Sequence, residues 1–393
     1  MKIESIKIKN FRALYDVELR NVPPLAVFVG ENGSGKSTLF RVFRFLKNAL
    51  KDNVTIAVQH EGGYKEMATR GRAAEPISFE IKFRTPITGK DRLVTYKLEI
   101  AADKSGTVVQ REILRYKRGS YGSPYHFLDF AKGKGYAINN EEDFSKTDEE
   151  LTKEYEVLDS PDLLAIKGLG QFQRFKAASA FRNLIENWHV SDFHIQDARH
   201  SARAGVAKHL SESGDNLPLV TQTLYQNDRK TFEEILKKFQ ERIPGMSEVK
   251  PHVTEDGYVL LRFKDGTFKD PFIAEHVSDG TIKMFAYLVL LHDPKPHPFL
   301  CIEEPENQLY PNLLSVLMEE LRDYAMRGGQ VFVSTHSPDM LNEVEIEEAF
   351  LLKKAKGITS VYPLCENEQI TELIDGGDKL GWLWRNTLLE KLL

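Results

Sequence analysis

The pattern G-x-x-x-x-G-K-S at residues 30–37 constrains the fold of this chain more than any other feature. Glycines at these positions let successive backbone N–H groups turn towards a phosphate chain, while the lysine and the small hydroxyl complete a site for phosphates and Mg²⁺. Residues 25–29 are apolar, and the apolar residues after the loop recur at helical spacing. The sequence therefore predicts a buried strand, a phosphate-binding loop and a helix whose N-terminus faces the phosphates. The predicted nucleotide-binding residues of the loop are Gly30, Asn32, Gly33, Ser34, Gly35, Lys36, Ser37 and Thr38, and Ser37 is also a predicted Mg²⁺ ligand.

Length and composition are those of an ordinary cytoplasmic protein. The chain of 393 residues can form two domains or one large α/β domain with an insertion, and 41% hydrophobic with 28% charged residues indicates neither disorder nor a membrane protein. No apolar run reaches the roughly 18 residues of a transmembrane helix. Cys301 and Cys365 have no metal-ligand spacing, which favours a reducing compartment. The net charge of -5 means that any contact with nucleic acid needs a local basic surface.

The middle of the chain reads as insertions into a nucleotide-binding core. Residues 75–130 alternate apolar and polar side chains in short runs, which predicts an antiparallel β subdomain. Residues 160–245 have helical spacing and predict an inserted helical arm, and residues 366–393 predict a helical tail. Residues 141–156 hold eight acidic side chains and two lysines, which favours a solvated loop.

Two clusters of basic and aromatic residues in these insertions could hold a phosphate backbone. A solvated helix face or a lysine-protected strand edge is the alternative for both. The first cluster comprises Arg111, Arg115, Lys117 and Arg118 beside Tyr116 and Tyr121, and the second comprises Lys167, Arg174, Lys176 and Arg182 with Phe172 and Phe175.

The helical arm also contains four histidines, His189, His194, His200 and His209. The spacing of these histidines fits no metal-ligand pattern, so it does not favour a metal site.

Residues 271–365 return to nucleotide chemistry and are predicted to form the core together with residues 1–50. Ser278 and Gly280 directly precede an apolar helix, and a serine and a glycine at a helix N-terminus form an anion site.

An apolar run at residues 299–302 ends in a pair of carboxylates, which is a Walker B arrangement. In such a pair the first carboxylate, here Glu303, faces Mg²⁺, and the second, Glu304, acts as general base on the attacking water. A second apolar run, residues 331–333, leads into Ser334-Thr335-His336-Ser337. Because parallel strands present ligands at their carboxyl ends, we expect His336 and Glu304 to lie at one edge of the sheet.

The order of these motifs resembles that of ABC-type ATPase heads of the RecF, SMC and overcoming-lysogenization-defect (OLD) group, often called AAA family ATPases, over nearly the whole chain. Asn10-Phe11-Arg12 is similar to the N-terminal motif of that group, and Gly214-Asp215-Asn216-Leu217 to a short motif of its middle region. Residues 277–281 resemble its signature loop, residues 304–311 its Walker B and D-loop, and residues 334–338 its switch histidine. Two residues depart from the pattern: Glu303 stands where the wider group has aspartate, and Tyr310 replaces the histidine before the last proline of the D-loop.

The resemblance implies an α/β P-loop NTPase fold of the ABC type, with a mixed central sheet, that binds ATP and Mg²⁺. It adds Arg12 to the nucleotide site and implies that Glu304 and His336 are catalytic. It also implies a homodimer or a higher homo-oligomer, in which Ser278 and Gly280 of one subunit complete the site on Lys36 of the other. OLD proteins carry a C-terminal Toprim nuclease, but only 57 residues follow His336 here. A nuclease is therefore expected to be a separate protein.

Two functions fit these features. The first is an ATPase that acts on DNA or on a separately encoded effector, in DNA repair or antiphage defence. The alternative is a nucleotide-gated scaffold with little turnover that holds and releases a toxic partner protein. A transporter ATPase is disfavoured because residues 278–281 depart from the transporter signature.

Overall fold

A computed structural model describes residues 2–87, 89–104, 106–119, 123–143 and 145–393, so Tyr121 of the first basic cluster lies outside the described residues. The chain forms two compact units. Unit 1 comprises residues 1–188 and 349–366, and unit 2 comprises residues 189–348 and 367–393. Across the described ranges, no helix combines the length and the apolar character needed to cross a membrane.

The strands of the described residues follow in chain order. They are β1 (Lys2–Phe11), β2 (Leu14–Leu19), β3 (Leu25–Val29), β4 (Ile77–Ile87), β5 (Lys90–Asp103), β6 (Gly106–Tyr116), β7 (Tyr125–Ala131), β8 (Lys134–Ile138), β9 (Lys153–Val157), β10 (Trp188–Ser191), β11 (Ala202–Arg203), β12 (Met246–Val253), β13 (Tyr258–Asp265), β14 (Phe272–Ile273), β15 (Phe299–Glu303), β16 (Val331–Thr335), β17 (Ala349–Ala355) and β18 (Ile358–Pro363).

The α-helices of the same residues are α1 (Lys36–Lys51), α2 (Val54–His60), α3 (Tyr64–Met67), α4 (Ala165–Leu169), α5 (Lys176–Glu186), α6 (Ile195–Arg199), α7 (Leu217–Asn227), α8 (Arg229–Arg242), α9 (Asp279–Leu291), α10 (Pro311–Met326), α11 (Pro338–Leu341), α12 (Glu368–Asp375), α13 (Leu380–Arg385) and α14 (Leu388–Leu392). Short 3₁₀ helices lie at Ala274–His276, Ile346–Glu348 and Leu364–Glu366.

Unit 1 contains an antiparallel sheet in the order β2-β1-β4-β5-β6-β7-β8-β9. The alternation that predicted it is visible in β4, where Ile77, Phe79, Ile81 and Phe83 are buried and the residues between them are not. The prediction of antiparallel strands in this region is confirmed, and β1, β2, β8 and β9 extend the sheet beyond the predicted range.

The acidic segment 141–156 is not simply a solvated loop. Residues 153–157 form β9, which pairs with β8. Glu141 is 2% exposed and accepts hydrogen bonds from the Tyr116 hydroxyl at 2.8 Å and the Ala177 N–H at 3.3 Å. Most described residues of 141–156 are exposed, so the prediction fails only at the strand and at Glu141. It counted charges and did not consider the polar partners that allow a carboxylate to be buried.

The rest of unit 1 builds the surroundings of the phosphate-binding loop. β3 is fully buried and pairs in parallel with β17, and β17 pairs in antiparallel with β18. α1 follows the loop and packs its apolar side inward, with Phe40 edge-on to Phe28 and Phe43 edge-on to Trp188. The predicted order of strand, loop and helix is therefore present.

In unit 2, β15 and β16 pair in parallel, and β10 lies beside β15. α9 is buried along most of its length, and α8 packs on it through Phe239 and Phe285, whose ring centroids are 5.2 Å apart. Strands β11, β13 and β12 form a small separate sheet to which β14 adds. The residues predicted as one helical arm contribute to both units and include β10 and β11.

A buried ion cluster ties α8 to α10 in unit 2. Glu320 is 1% exposed and accepts from Lys238 Nζ at 2.6 and 2.9 Å, and it lies 2.9 Å from His292 Nε2. Burial acts to raise the pKa of Glu320, but the hydrogen bonds with His292 and Lys238 outweigh it and lower the pKa from 4.5 to about 2.

We expect Glu320→Gln to lower the free energy of unfolding at pH 7 by about 3 kcal/mol, because the substitution leaves the half-buried Lys238 ammonium group without its counter-charge. A carboxylate with a depressed pKa stabilises the folded state above pH 4.5, and this stabilisation is lost as the pH falls towards 2. The difference between wild type and variant should therefore shrink over that interval in urea titrations. The exposed neighbour Glu319 is the matched control, and Glu319→Gln should change stability by less than about 0.5 kcal/mol. A difference that grows as the pH falls would contradict the assignment.

Candidate nucleotide site

The glycines of the phosphate-binding loop are required by its backbone. Gly33 and Gly35 have φ of +80° and +111°, a region that side chains rarely adopt. A Cβ on Gly30 would lie 2.4 Å from the carbonyl oxygen of Leu352, and one on Gly35 would lie 2.6 Å from Thr359 Oγ1. Any other residue at these positions would strain or displace the loop.

The loop has the polar groups that a phosphate needs. Lys36 is 5% exposed, and its Nζ donates to the carbonyl oxygens of Gly30 at 2.6 Å and Glu31 at 3.2 Å. α1 begins at Lys36 with no side-chain hydrogen bond capping its N-terminus, the end of a helix whose dipole favours an anion. Ser34 Oγ is buried and has no hydrogen-bond partner among the described residues. Ser37 lies exposed in the first turn and Thr38 is half-buried. These features fit a bound phosphate group.

Thr359 supports the loop from a distant part of the sequence. Its Oγ1 donates to the carbonyl oxygen of Ser34 at 2.7 Å, and its N–H donates to the carbonyl oxygen of Ala13 at 2.8 Å. Sequence reasoning missed Thr359, since it lies in the ordinary β-hairpin of β17 and β18 and carries no motif.

Arg12 is held in an ion pair. Its Nη2 is 2.7 Å from Glu61 Oε2 and 2.9 Å from the Glu61 carbonyl oxygen, and its φ is 49°. Asn10, with φ of 58°, donates to the carbonyl oxygens of Arg72 and Glu75. The tripeptide around Phe11 is thus fixed by residues 61–75, and the predicted role of Arg12 towards a nucleotide stays a prediction.

In unit 2 the structure brings His336 and Glu304 together, as the strand ends predicted. His336 Nδ1 is 3.4 Å from Glu304 Oε1. Glu304 has a left-handed backbone, φ 42°, and its N–H donates to the carbonyl oxygen of Ser334 at 2.9 Å. Asn307 Nδ2 donates to the other oxygen of Glu304 at 3.2 Å. Glu303 ends β15 opposite Ser334 in the parallel register, half-buried.

Glu306 is a further residue of this cluster, within the Walker B and D-loop segment, to which the sequence analysis assigned no role of its own. Its Oε1 accepts from Thr335 Oγ1 at 2.7 Å and from the His336 N–H at 2.9 Å, and lies 3.5 Å from His336 Nδ1. Its side chain is 8% exposed, and Oε2 is buried with no hydrogen-bond partner within the described ranges. Glu306 therefore positions the segment that carries His336.

The signature loop is tied to the D-loop within the same unit. Ser278 caps α9, since its Oγ accepts from the Thr281 N–H at 3.3 Å. A Cβ on Gly280 would lie 2.9 Å from the carbonyl oxygen of Gln308. Lys283 donates to the carbonyl oxygen of Asn307 at 2.7 Å, and its burial lowers its pKa to about 8.

Arg199 holds the segment before the signature loop, and a cleft lies beside that loop. Arg199 donates to the carbonyl oxygens of Ala274 at 3.0 Å and Glu275 at 3.1 Å, and it pairs with Asp279. A cleft of about 740 Å³ lies beside the loop. Its lining includes Arg242, Ser278, Gly280, Gln308 and Tyr310.

The C-terminal tail contacts the histidine segment. Trp384 Nε1 donates to the carbonyl oxygen of His336 at 3.1 Å. Gly381 packs so closely that a Cβ would lie 1.9 Å from the carbonyl oxygen of Pro338. The tail is therefore packed against the strand end that carries His336.

The two basic clusters are largely neutralised by their own neighbours, which favours the structural explanation for them over a DNA-binding one. In the first, Arg111 pairs with Asp129 at 2.9 Å, and Arg118, only 7% exposed, pairs with Asp148 at 2.9 Å. In the second, Lys167 donates to the Asp52 carbonyl, Arg174 pairs with Glu154, Lys176 with Glu142, and Arg182 with Glu186.

Comparison with known proteins agrees with this arrangement. A family model described as "AAA domain, putative AbiEii toxin, Type IV TA system" matches residues 25–342. The "Crystal structure of the SmcHead bound to the C-winged helix domain of ScpA" is similar with a TM-score of 0.56 and 14% identity, covering 92% of this chain and 98% of that chain.

A second solved structure is an "Smc head domain with an extended coiled coil bound to the C-terminal domain of ScpA derived from Pyrococcus furiosus". It has a TM-score of 0.51 and 14% identity, covering 95% of this chain and 99% of that chain. At this identity the likeness shows the fold alone, and it confirms the predicted α/β P-loop fold of the SMC-head type. The chain therefore belongs to the family whose model is described as "AAA domain, putative AbiEii toxin, Type IV TA system".

Proposed function

We propose that this protein is a Mg²⁺-dependent ATPase whose subunits assemble around bound nucleotides and act on a partner protein or DNA. The observation that carries the proposal is the pairing of His336 with Glu304 at the end of a buried strand, in a chain that also has a complete phosphate-binding loop. A loop alone would support nucleotide binding. The carboxylate and histidine pair adds the groups that hydrolysis requires.

Each residue has a distinct part in this proposal. Lys36 leaves the loop carbonyls for the β- and γ-phosphates, and Ser34 and the N-terminus of α1 bind phosphate oxygens. Ser37 and Glu303 would hold Mg²⁺, which neutralises phosphate charge when bound. Glu304 accepts a proton from the attacking water, and His336, held by Glu306 and Thr335, orients that water and the γ-phosphate.

Assembly is supported by the signature loop and its cleft. Ser278 is exposed and Gly280 is half-buried where they line the cleft, in a stretch fixed by Lys283 and Arg199. A preorganised loop of this kind is suited to receive the γ-phosphate of a nucleotide held by another copy of the chain.

We expect Ser278→Arg to leave ATP binding intact while stopping turnover, because the long cation would block the approach of the second subunit. In a mixture with Lys36→Ala, hybrid dimers carry one intact composite site and should recover part of the activity. Ser278→Asn keeps the side-chain cap of α9 and controls for loss of that cap. If mixed variants hydrolyse no more ATP than either variant alone, the site is not shared between subunits.

The alternative, a nucleotide-gated scaffold that holds a toxic partner protein, has its own support. The matching family carries the words "putative AbiEii toxin, Type IV TA system", and both similar SMC heads were solved with a bound ScpA domain. Protein partners are therefore favoured over DNA, since the basic clusters are neutralised. ATP turnover should be measured alone, with duplex DNA and with co-purified partners, because it separates the two functions. Turnover supports the ATPase, whereas ATP-driven assembly without turnover supports the scaffold.

A further inference from the structure

Unit 2 holds a cluster of metal-binding side chains that the proposed ATPase chemistry does not use. The cluster comprises His209, Asp293 and His297, and one donor atom of each lies within 4.8 Å of the others. His209 Nδ1 is 2.7 Å from Asp293 Oδ2, and the Asp293 side chain is only 5% exposed. A buried carboxylate beside two imidazoles is a donor set for a divalent first-row transition ion.

Two of the three ligands lie on a stiff loop between α9 and β15. Pro294, Pro296 and Pro298 flank Asp293 and His297 and fix the backbone φ at three positions. Asp293 Oδ1 accepts from the Lys295 N–H at 2.8 Å, and the His297 carbonyl accepts from the Tyr324 hydroxyl at 2.5 Å. The loop therefore presents both side chains with little loss of entropy on binding.

The third ligand is held by the middle-region motif Gly214–Leu217. Asn216 Nδ2 donates to the carbonyl oxygen of His209 at 3.0 Å, and Asn216 Oδ1 accepts from the Ser211 N–H at 2.8 Å. Gly214 has φ of +81°, which suits the tight turn before Asn216. The motif thus fixes the main chain of His209, which explains the motif by a local structural role.

A third histidine, which is not a proposed ligand, packs against the two imidazole rings. His189 is 2% exposed and stacks on His297, with ring centroids 4.8 Å apart and an interplanar angle of 27°. His209 and His297 are also close, with centroids 5.1 Å apart. His189 and His209 are two of the four histidines of the predicted helical arm, whose spacing fitted no metal-ligand pattern. The pattern was not visible there because the other two donors, Asp293 and His297, lie more than 80 residues later in the sequence.

We propose that His209, Asp293 and His297 bind one Zn²⁺ ion, with water as the fourth ligand. A tetrahedral zinc site with bonds of about 2.0–2.2 Å places its ligand atoms about 3.3 Å apart. His209 Nδ1 and Asp293 Oδ2 are 2.7 Å apart and all three donor atoms lie within 4.8 Å of one another, so small side-chain rotations suffice. The ion would join the loop before the Walker B strand to the segment held by Asn216.

The test uses full-length, tag-free protein stripped with a chelator, without nucleotide, and titrated with ZnCl₂. After titration and removal of excess zinc, wild type should hold about one zinc per chain by elemental analysis, and its Tm should rise with zinc. His209→Ala/His297→Ala and the milder Asp293→Asn should each bind zinc at least about 100-fold more weakly. Cobalt substitution should give the visible absorption of a tetrahedral site in wild type, and competition with Fe²⁺ and Mn²⁺ establishes which ion is preferred.

The matched control is His194→Ala/His200→Ala, which removes two exposed histidines of the same segment and should bind zinc as wild type does. Equal zinc binding by wild type and Asp293→Asn would overturn the proposal and leave His209 and Asp293 as a hydrogen-bonded pair. Loss of zinc from the control variant alone would overturn it as well. Neither result depends on ATP hydrolysis, so the site is tested separately from the proposed function.

Discussion

Lys36→Ala should weaken ATP binding at least about 100-fold, because the ammonium group makes charge-assisted contacts to phosphate that neutral neighbours do not replace. The loss of affinity should exceed that caused by the missing charge alone. Lys36 also donates hydrogen bonds to the Gly30 and Glu31 carbonyls, so the substitution removes two bonds that hold the loop in shape without nucleotide. Calorimetric titration with a slowly hydrolysed ATP analogue measures the affinity.

Lys51→Ala, at the exposed end of the same helix, is the control and should bind nucleotide as wild type does. Wild-type affinity in Lys36→Ala would reject the loop as the nucleotide site, whatever the fold suggests.

Glu304→Gln should lower turnover by about 10²–10⁴-fold while ATP still binds, because the amide keeps the size of the side chain but cannot accept the proton from water. The variant should then remain in the assembled state that ATP favours, and it should sediment as the largest species. Steady-state phosphate release and sedimentation velocity measure the two effects.

Glu347→Gln, an exposed carboxylate of the same unit, should leave both measurements unchanged. If Glu304→Gln hydrolyses ATP at the wild-type rate, the general base is misassigned, and Glu303 and Glu306 are the next carboxylates to replace.

The sequence allowed good prediction wherever the chemistry is local. The strand, the loop and α1 around Lys36 are contiguous, and Gly33 and Gly35 have backbone angles that residues with a side chain rarely adopt. The pairing of His336 with Glu304 was also predictable, since both follow buried strands that align in parallel.

Prediction failed where partners come from distant segments. Thr359 supports Ser34 from more than 300 residues away and belongs to no spacing pattern. Glu306 lies within the Walker B and D-loop segment, but its partners, the Thr335 hydroxyl and the His336 N–H, lie 29 and 30 residues further along the chain. The buried Glu141 was mistaken for part of a solvated loop because burial depends on the Tyr116 hydroxyl, which charge counting ignores. The sequence did contain a signal that Lys283 has a specific partner, because Lys283 is the one cation of α9 and is followed by a long apolar run.

The hydrogen bond from Trp384 to the His336 carbonyl gives the protein an intrinsic optical reporter. The chain has three tryptophans: Trp188 is fully buried, Trp382 is half-exposed, and Trp384 lies on the histidine segment. With Trp382 replaced by phenylalanine, indole emission comes from Trp188, which is buried, and from Trp384, which is bonded to the His336 carbonyl. Rearrangement of that segment during the nucleotide cycle then becomes visible in stopped-flow fluorescence, with no attached dye.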